Sequence, residues 1–145
     1  MTIIQATTKH LKDIVPLFDA YRVFYRQPSN LIAAENYIKE RLTKQDSVIY
    51  IAYINNVAVG FTQLYSLFSS VSMQAMYLLN DLYIDTQYRN QKIGTLLIHK
   101  AKELCREKGC KGLMIQTEKS NPAQHLYQRE GFIKDEDLSF FWKTI

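Results

Sequence analysis

The chain has 145 residues, of which 47% are hydrophobic and 22% are charged. This length and composition predict one globular domain with a single hydrophobic core, and they exclude a disordered chain, a collagen-like chain and a disulfide scaffold. The net charge of +4 at pH 7 suits an anionic partner, which could be nucleic acid, a membrane surface or a phosphate-bearing cofactor.

The sequence carries no signal for export, for a membrane span or for a second domain. No apolar run approaches the roughly 18 residues that a membrane helix needs, and the first residues lack the pattern of a signal peptide. We therefore predict a cytoplasmic domain over residues 1–145 with no membrane partner. The two cysteines are interpreted as reduced thiols, and the three histidines have no metal-ligand spacing, so no metal is expected.

In the first half of the chain, apolar residues recur first at helical spacing and then in continuous β-branched and aromatic runs. The helical stretches each predict one buried face, and the later runs are typical of strands. An Asn-Asn pair between two such runs favours the tight turn of a β-hairpin. The predicted elements are a strand at 3–6, a helix at 11–25, a helix capped by Ser29 or Asn30, and a hairpin of strands 48–54 and 57 onward joined by Asn55 and Asn56.

The second half alternates strands with helices. Residues 75–84 are apolar on both faces, which predicts a strand with neighbours on both sides. A helix at 93–105 has Gly109 where a C-cap glycine belongs. The remaining predicted elements are a strand at 112–116, a short helix that begins at Asn121-Pro122 and closes at Gly131, and one or two strands at 132–133 and 138–144. Together these elements indicate an α/β protein with a mixed sheet and helices against it.

The most informative segment for function is the polar loop 85–92, between a buried strand and the strong helix that follows. The first N–H groups of a helix lack internal acceptors and the helix dipole adds partial positive charge, so this geometry can bind a phosphate. Arg89 and Lys92 can add formal charge, and Gly94 allows a phosphate to approach the backbone closely. On the local pattern alone, an ordinary loop with solvated charges is an equal alternative.

Residues 89–94, Arg-Asn-Gln-Lys-Ile-Gly, resemble the signature of the GNAT acetyltransferase superfamily, Gln/Arg-x-x-Gly-x-Gly/Ala. Lys92 stands where the signature has its first glycine, so its amide can serve a phosphate only if its conformation suits an L-residue. The resemblance spans nearly the whole chain and is strongest over residues 77–132. It implies an N-acetyltransferase that uses acetyl-CoA as co-substrate.

The same resemblance implies a mostly antiparallel sheet in which one strand splays from its parallel neighbour, so that the pantetheine arm enters as an additional strand. Backbone groups of Leu82 and Ile84 would bind that arm, and an amide near Leu82 would hold the oxyanion. The implied cofactor-binding residues are Leu82, Tyr83, Ile84, Arg89, Asn90, Gln91, Lys92, Ile93, Gly94, Thr95, Asn121, Ala123 and Tyr127.

A second motif at 121–132 resembles the family segment Asn-x-x-Ala/Ser-x-x-x-Tyr-x-x-x-Gly-Phe, although its small residue, Ala123, comes one position earlier than in some members. The resemblance implies that Tyr127 is the general acid that protonates the departing thiolate, and that Asn121 contacts the pantetheine or holds the loop. A phenol suits this role because it is neutral at pH 7 and can donate a proton. Leu126 and Tyr127 could instead be plain core contacts.

The attacking amine must lose a proton, because an ammonium has no lone pair. Asp81 is the candidate base, with Asn80 positioning a water, and its pKa must be raised or a relay used. A structural Asp81 satisfied by backbone donors is an equal alternative. Asp81 and Tyr25 are also the candidate contacts for the acceptor.

The segments 68–73 and 78–84 and the aromatic tail resemble the branch of the superfamily that contains histone and polyamine acetyltransferases. This resemblance favours a small primary amine, such as a polyamine, as acceptor. A protein lysine or N-terminal acetyltransferase and a non-catalytic acyl-CoA-binding module are the alternatives. Nucleic-acid binding is disfavoured because the basic residues are dispersed among acids. The oligomeric state stays open, since the tail at 138–142 could pack in a homodimer interface or in the core.

Overall fold

The computed structural model describes residues 1–144. Five strands form one sheet in chain order, with β1 to β4 antiparallel and β5 parallel to β4. The predicted α/β class with a mixed sheet is confirmed. The elements are β1 (Thr2–Gln5), α1 (Leu11–Phe24), α2 (Leu31–Lys44), β2 (Ser47–Ile54), β3 (Val57–Ser69), β4 (Gln74–Ile84), α3 (Ile93–Lys108), β5 (Leu113–Ile115) and α4 (Gln124–Arg129), with single 3-10 turns at Thr8–His10 and Thr86–Tyr88.

Local capping and turn chemistry fix several of these boundaries. The Asn30 side chain accepts a first-turn N–H of α2 at 3.0 Å, so Asn30 is the cap, and the Ser29 hydroxyl instead donates to Asp19 at 2.6 Å. Asn55 and Asn56 both have positive φ, 49° and 63°, which is the conformation of a type I′ hairpin turn. The predicted hairpin and second helix are therefore confirmed, together with the turn and capping residues that indicated them.

The core has two layers, one on each face of the sheet. Helices α1 and α2 cover one face, which includes Ile49, Ile51 and Phe61, and α3 covers the other. The first residue of α3, Ile93, is 2% exposed. Since burial of this kind anchors a helix firmly, the start of α3 and the end of β4 are held on rigid parts of the fold.

Strands β4 and β5 diverge after a short parallel pairing. Only Tyr77–Leu79 of β4 lie in register with β5. From residue 80 to residue 84, the edge of β4 that faces away from β3 has no strand partner within residues 1–144. An open strand edge can bind an additional extended chain through its backbone groups. The predicted splayed pair is thus present.

A β-bulge lies where β4 leaves β5. Gln63 pairs with Asp81 and Leu64 pairs with Leu79, so Asn80 is an extra residue without a partner on β3. Bulges redirect side chains and are common beside active sites. The consequence here is that two polar residues, Asn80 and Asp81, follow each other at the mouth of the opening between the strands.

The prediction of strands in the tail was wrong. Residues 130–144 form no strand, and the large apolar side chains from Leu138 to Trp142 are at least 79% exposed. The physical reason is that β-branched and aromatic residues favour a strand only where a sheet edge completes their hydrogen bonds. No described strand pairs with the tail.

Gly60 keeps space for the end of β4, and its substitution by alanine is expected to lower the free energy of unfolding by about 1–3 kcal/mol. A Cβ at this position would lie 2.7 Å from Ile84 Cδ1 and 3.0 Å from the Tyr83 carbonyl oxygen. The backbone oxygen cannot move aside cheaply. Urea denaturation measures the loss. The matched control is Gly112→Ala, where a Cβ meets no atom within 4 Å; an equal loss in both variants would contradict this explanation.

Candidate active site

Helix α3 begins with N–H groups that the protein leaves free. Its N-cap is Lys92, whose side chain makes no capping hydrogen bond. Along the helix, the first backbone N–H with an acceptor is that of Leu96, which donates to the Lys92 carbonyl oxygen at 3.1 Å. Within residues 1–144, the N–H groups of Ile93, Gly94 and Thr95 have no acceptor. Three free donors at the positive end of a helix dipole form an anion-binding site.

The loop before α3 contains two left-handed residues, Asn90 with φ 62° and Lys92 with φ 63°. Asparagine adopts this conformation readily, whereas for lysine it costs roughly 1–2 kcal/mol. Lys92 therefore has the backbone conformation that favours glycine, the residue that the resembled signature has at this position. Strain of this kind persists where the surrounding structure requires one loop geometry.

Gly94 also lets two helices approach each other. A Cβ on Gly94 would lie 3.2 Å from Leu126 Cδ2 on α4. Contacts this short are rare, so a larger residue would push α4 away from the start of α3. The next residue on α4 is Tyr127, and its position therefore depends on this glycine. Sequence reasoning gave Gly94 a role toward phosphate alone.

The Arg89 side chain joins the end of β4 to α1. Its Nε donates to the Ile84 carbonyl oxygen at 3.1 Å, and its guanidinium carbon lies 5.9 Å from the Phe24 ring centroid and 5.7 Å from the Tyr83 ring centroid. The terminal guanidinium N–H groups have no hydrogen-bond acceptor in residues 1–144. They are available for an anion, while the stacking restricts where the charge can lie.

Tyr127 is half-buried on α4, and its hydroxyl has no hydrogen-bond partner among the described residues. Its ring packs edge-on against Phe132, with the centroids 6.1 Å apart. Burial raises the pKa of Tyr127 to about 12, and the neighbouring Tyr25 phenol adds a smaller effect. The phenol is therefore neutral at physiological pH, and its proton is available for donation.

Asn121 connects the start of α4 to the end of α1. Its Nδ2 donates to the Tyr25 hydroxyl at 3.2 Å, and its Oδ1 accepts the Ala123 N–H at 3.0 Å. The helix itself begins at Gln124, slightly later than predicted, because the Asn121 side chain closes a turn of its own before the helix. Tyr25, Asn121 and Tyr127 are thus brought together on two neighbouring elements.

Asp81 is 1% exposed and lies in a network of side-chain amides. Its Oδ1 accepts Nδ2 of Asn80 at 2.6 Å, and its Oδ2 accepts Nε2 of Gln63 at 2.6 Å. Burial raises the pKa of Asp81 to about 6, and the hydrogen bonds from Asn80 and Gln63 partly oppose that rise. The donors to Asp81 are thus side-chain amides and not backbone groups, and Asn80 binds Asp81 directly. The Tyr21 hydroxyl completes the site by donating to the Asn80 carbonyl oxygen at 3.1 Å.

Sequence reasoning missed two polar residues of this region. Gln63 is fully buried, and the signal for it is a polar residue in an otherwise apolar strand. Thr117, two residues beyond β5, has a buried hydroxyl oxygen with no hydrogen-bond partner among the described residues. A buried polar atom without a partner costs about 1–3 kcal/mol, so such an atom points to a missing partner.

The raised pKa of Asp81 predicts stability that is lost as the pH rises. The folded carboxyl keeps its proton up to about pH 6, whereas the unfolded one releases it near pH 3.9. Between these values the unfolded state binds fewer protons, so the contribution of Asp81 to the free energy of unfolding falls by about 3 kcal/mol. Urea denaturation of the wild type and Asp81→Asn at about pH 4 and about pH 7.5 isolates this change. A stability difference that is the same at both pH values would contradict it.

Three further observations on the described residues concern the cysteines, membrane-spanning helices and metal-binding groups. Cys105 is buried and Cys110 half-buried, and both are free thiols. No helix within residues 1–144 is both long enough and apolar enough to cross a bilayer. In the same part of the chain, no group of three or more His, Cys, Asp or Glu side chains is arranged to hold a metal ion.

Comparison with known proteins identifies relatives over the full domain. The model of the Acetyltransferase (GNAT) family matches residues 12–132. An uncharacterized N-acetyltransferase of Bacillus subtilis strain 168, YhfO, is 45% identical over 97% of this chain and 93% of its own length. The crystal structure of a probable acetyltransferase superposes with a TM-score of 0.92 at 34% identity, covering 100% of this chain and 98% of its own.

The fold also matches a structure that contains coenzyme A. The aminoglycoside N-acetyltransferase AAC(6')-Iy in complex with CoA superposes with a TM-score of 0.84, covering 99% of this chain and 95% of its own. Its sequence identity is 21%, so this likeness concerns the fold alone.

Proposed function

Because the chain belongs to the GNAT family of acetyltransferases, we propose that it transfers the acetyl group of acetyl-CoA to the primary amine of a small molecule. The transfer is a direct attack in a ternary complex, without a covalent enzyme intermediate. The observation that carries the proposal is that an open β4 edge and three free N–H groups at the start of α3 occur in the same domain. One feature suits an extended amide-containing arm and the other suits a pyrophosphate.

The residues present fit coenzyme A. The free amides of α3 would bind the pyrophosphate, and the free N–H groups of Arg89 and the Lys92 side chain add positive charge. The backbone of residues 82–84 would bind the pantetheine arm, and the unpartnered hydroxyl of Thr117 suits one more polar group. Asn90 and Gln91 belong to the proposed set because they form the loop, and Asn121 and Ala123 because they form the turn that positions α4.

Tyr127 is the proposed general acid. When bound, acetyl-CoA supplies an activated carbonyl with a thiolate as leaving group. The Tyr127 hydroxyl, free of other partners, donates a hydrogen bond to the departing sulfur as negative charge develops there. A backbone amide near Leu82, beside the bulge at Asn80, is the proposed donor to the oxyanion.

Asp81 is the proposed final acceptor of the amine's proton. Its carboxylate is buried and bonded by two amides, so it does not reach the amine directly. We propose that solvent carries the proton past the exposed Asn80 side chain to Asp81. Since the pKa of Asp81 is about 6, the carboxylate is mainly ionised at pH 7 and can accept that proton.

The surroundings of Tyr25 favour a small cationic acceptor. The Tyr21 and Tyr25 rings lie edge to face with centroids 5.1 Å apart, and aromatic faces of this kind attract cations. Arg26 Nη2 lies 2.7 Å from Glu118 Oε1, so an exposed ion pair joins the residues after α1 to those after β5. Aminoglycosides and polyamines both belong to the proposed class.

A thiol-release assay with acetyl-CoA and a panel of amines tests the proposal. The panel contains a polyamine, an aminoglycoside, a peptide with a free N-terminal alanine and a lysine peptide blocked at its N-terminus. We expect release above the amine-free rate with a small amine, together with a product heavier by one acetyl group. The amine-free control accounts for hydrolysis of the thioester and for the free thiols of the protein.

Two results would contradict the proposal in different ways. Release with the peptides alone would make a protein lysine or N-terminus the acceptor, as in the alternative reading of the family resemblance. Tight binding of acetyl-CoA without release to any amine would contradict the catalytic role and favour a binding module. Binding is measured separately by calorimetry with coenzyme A.

A further inference from the structure

An exposed ion pair, Arg26 with Glu118, adjoins the candidate active site and has no part in the proposed catalysis. Arg26 directly follows Tyr25, whose hydroxyl accepts Nδ2 of Asn121 at 3.2 Å. The Asn121 N–H in turn donates to the Glu118 carbonyl oxygen at 3.0 Å. Tyr25 is also near enough to Tyr127 to raise its pKa. The ion pair is therefore held at the rim of the group that contains the proposed general acid.

Both partners of the ion pair are accessible to solvent. The side chains of Arg26 and Glu118 are 72% and 40% exposed. Arg26 Nη2 donates to Glu118 Oε1 at 2.7 Å, and neither side chain makes another hydrogen bond within residues 1–144. Glu118 Oε2 thus has no donor in the described chain, so one carboxylate oxygen is free for another cation.

The end of α1 places Arg26 opposite Glu118. The Arg26 N–H donates to the Val23 carbonyl oxygen at 2.9 Å, and the residue has a φ of 67°, in the left-handed region. Since an exposed arginine side chain has many rotamers, it can leave Glu118 without a change in this backbone. Exposed ion pairs also contribute little to stability, so another cation can replace the guanidinium at little cost.

We propose that Glu118 binds a second cationic group of the acceptor, and that Arg26 occupies this carboxylate until the acceptor displaces it. The inference rests on the proposed acetyl transfer and narrows its acceptor to a small amine with at least one further cationic group. One nitrogen attacks the thioester beside Tyr127 as the neutral amine. The other nitrogen stays protonated and pairs with Glu118, so it takes no part in the bond changes.

The buried carboxylate of the site is not available for this contact. Asp81 is 1% exposed, and its two oxygens already accept side-chain amides of Asn80 and Gln63. Glu118 is exposed and has an oxygen free. The Tyr25 ring, one residue from Arg26 and edge to face with another tyrosine ring, adds an aromatic surface that attracts organic cations.

Thiol release from acetyl-CoA with matched pairs of amines tests the second cation. Pentylamine has the chain length of putrescine, with a methyl group in place of one ammonium. We expect kcat/KM for putrescine to exceed that for pentylamine by at least about tenfold in the wild type, the scale of a charge-assisted contact. Cadaverine and hexylamine repeat the comparison with a longer chain.

Glu118→Gln and Arg26→Gln distinguish displacement from a purely structural ion pair. Glu118→Gln keeps the shape of the side chain and removes its charge, so the preference for putrescine over pentylamine should fall by about tenfold. Arg26→Gln removes the competing cation, so the same preference should rise by about two- to fivefold. A structural ion pair would respond alike to the loss of either partner, whereas displacement predicts changes of opposite sign.

Glu103→Gln is the matched control. The Glu103 carboxylate forms an exposed ion pair with Lys100 on α3, at 3.1 Å, and lies outside the proposed site. We expect this variant to keep the wild-type preference for putrescine. Calorimetry with coenzyme A verifies that all three variants are folded.

Each remaining outcome overturns the inference. Equal use of diamines and monoamines by the wild type overturns it and leaves the proposed acetyl transfer intact. A preference for putrescine that persists in Glu118→Gln places the second cation elsewhere, and a preference that does not rise in Arg26→Gln excludes displacement. Acetylation of none of these four amines by the wild type also overturns the inference, and the wider amine panel then decides the proposed function.

Discussion

Substitution of Thr95 by aspartate is expected to raise the KM for acetyl-CoA by at least about 30-fold, which corresponds to about 2 kcal/mol. Thr95 contributes one of the three free N–H groups at the start of α3. A carboxylate in this turn accepts those N–H groups itself and repels a phosphate. Two unit charges 4 Å apart near a protein surface interact by about 4 kcal/mol, and salt reduces this value. Steady-state kinetics with acetyl-CoA varied at saturating amine measure the change.

Thr95→Asn is the matched control, because asparagine has the shape of aspartate without its charge. We expect its KM to stay within about threefold of the wild type, which is under 1 kcal/mol. Rising ionic strength should narrow the gap between the two variants, since the repulsion is electrostatic. An unchanged KM in Thr95→Asp would mean that no phosphate of acetyl-CoA binds at the start of α3. The proposed function would then lose the observation on which it rests.

The parts of the fold that sequence reasoning predicted are those with a local signal. Helix α3 ends where Gly109 adopts φ 64°, and the hairpin turns where Asn55 and Asn56 adopt positive φ. In each case the residue type is chosen by the backbone conformation of that residue alone. The same logic applies to the loop before α3, where Lys92 departs from the glycine of the family pattern and still has a glycine-like φ of 63°.

What could not be predicted depends on partners distant in sequence. Gln63 and Asp81 are 18 residues apart and meet only because the bulge at Asn80 sets the register of β3 and β4. Their polar side chains give no periodicity that would reveal the contact. The tail has strong strand-forming residues, yet no described strand pairs with it, because strand formation requires an available edge in the right place.

Substitution of Tyr127 by phenylalanine is expected to lower kcat by about 100-fold or more, the usual size of a general-acid contribution. The change removes a hydroxyl that has no partner in the described chain and keeps the ring that packs on Phe132. Since the main proposed cofactor contacts lie on β4 and α3, the KM for acetyl-CoA should change by less than about threefold. Steady-state kinetics with both substrates varied separate the two effects.

Tyr53→Phe is the matched control for the loss of a phenol. The Tyr53 hydroxyl donates to Asp13 Oδ2 at 2.7 Å, and neither residue belongs to the proposed site. This variant should keep the wild-type kcat and lose about 1 kcal/mol of stability with its hydrogen bond. If Tyr127 were a plain core contact, phenylalanine would preserve its packing and kcat would not change. A drop in kcat confined to Tyr127→Phe therefore separates the chemical role of the hydroxyl from the packing role of the ring.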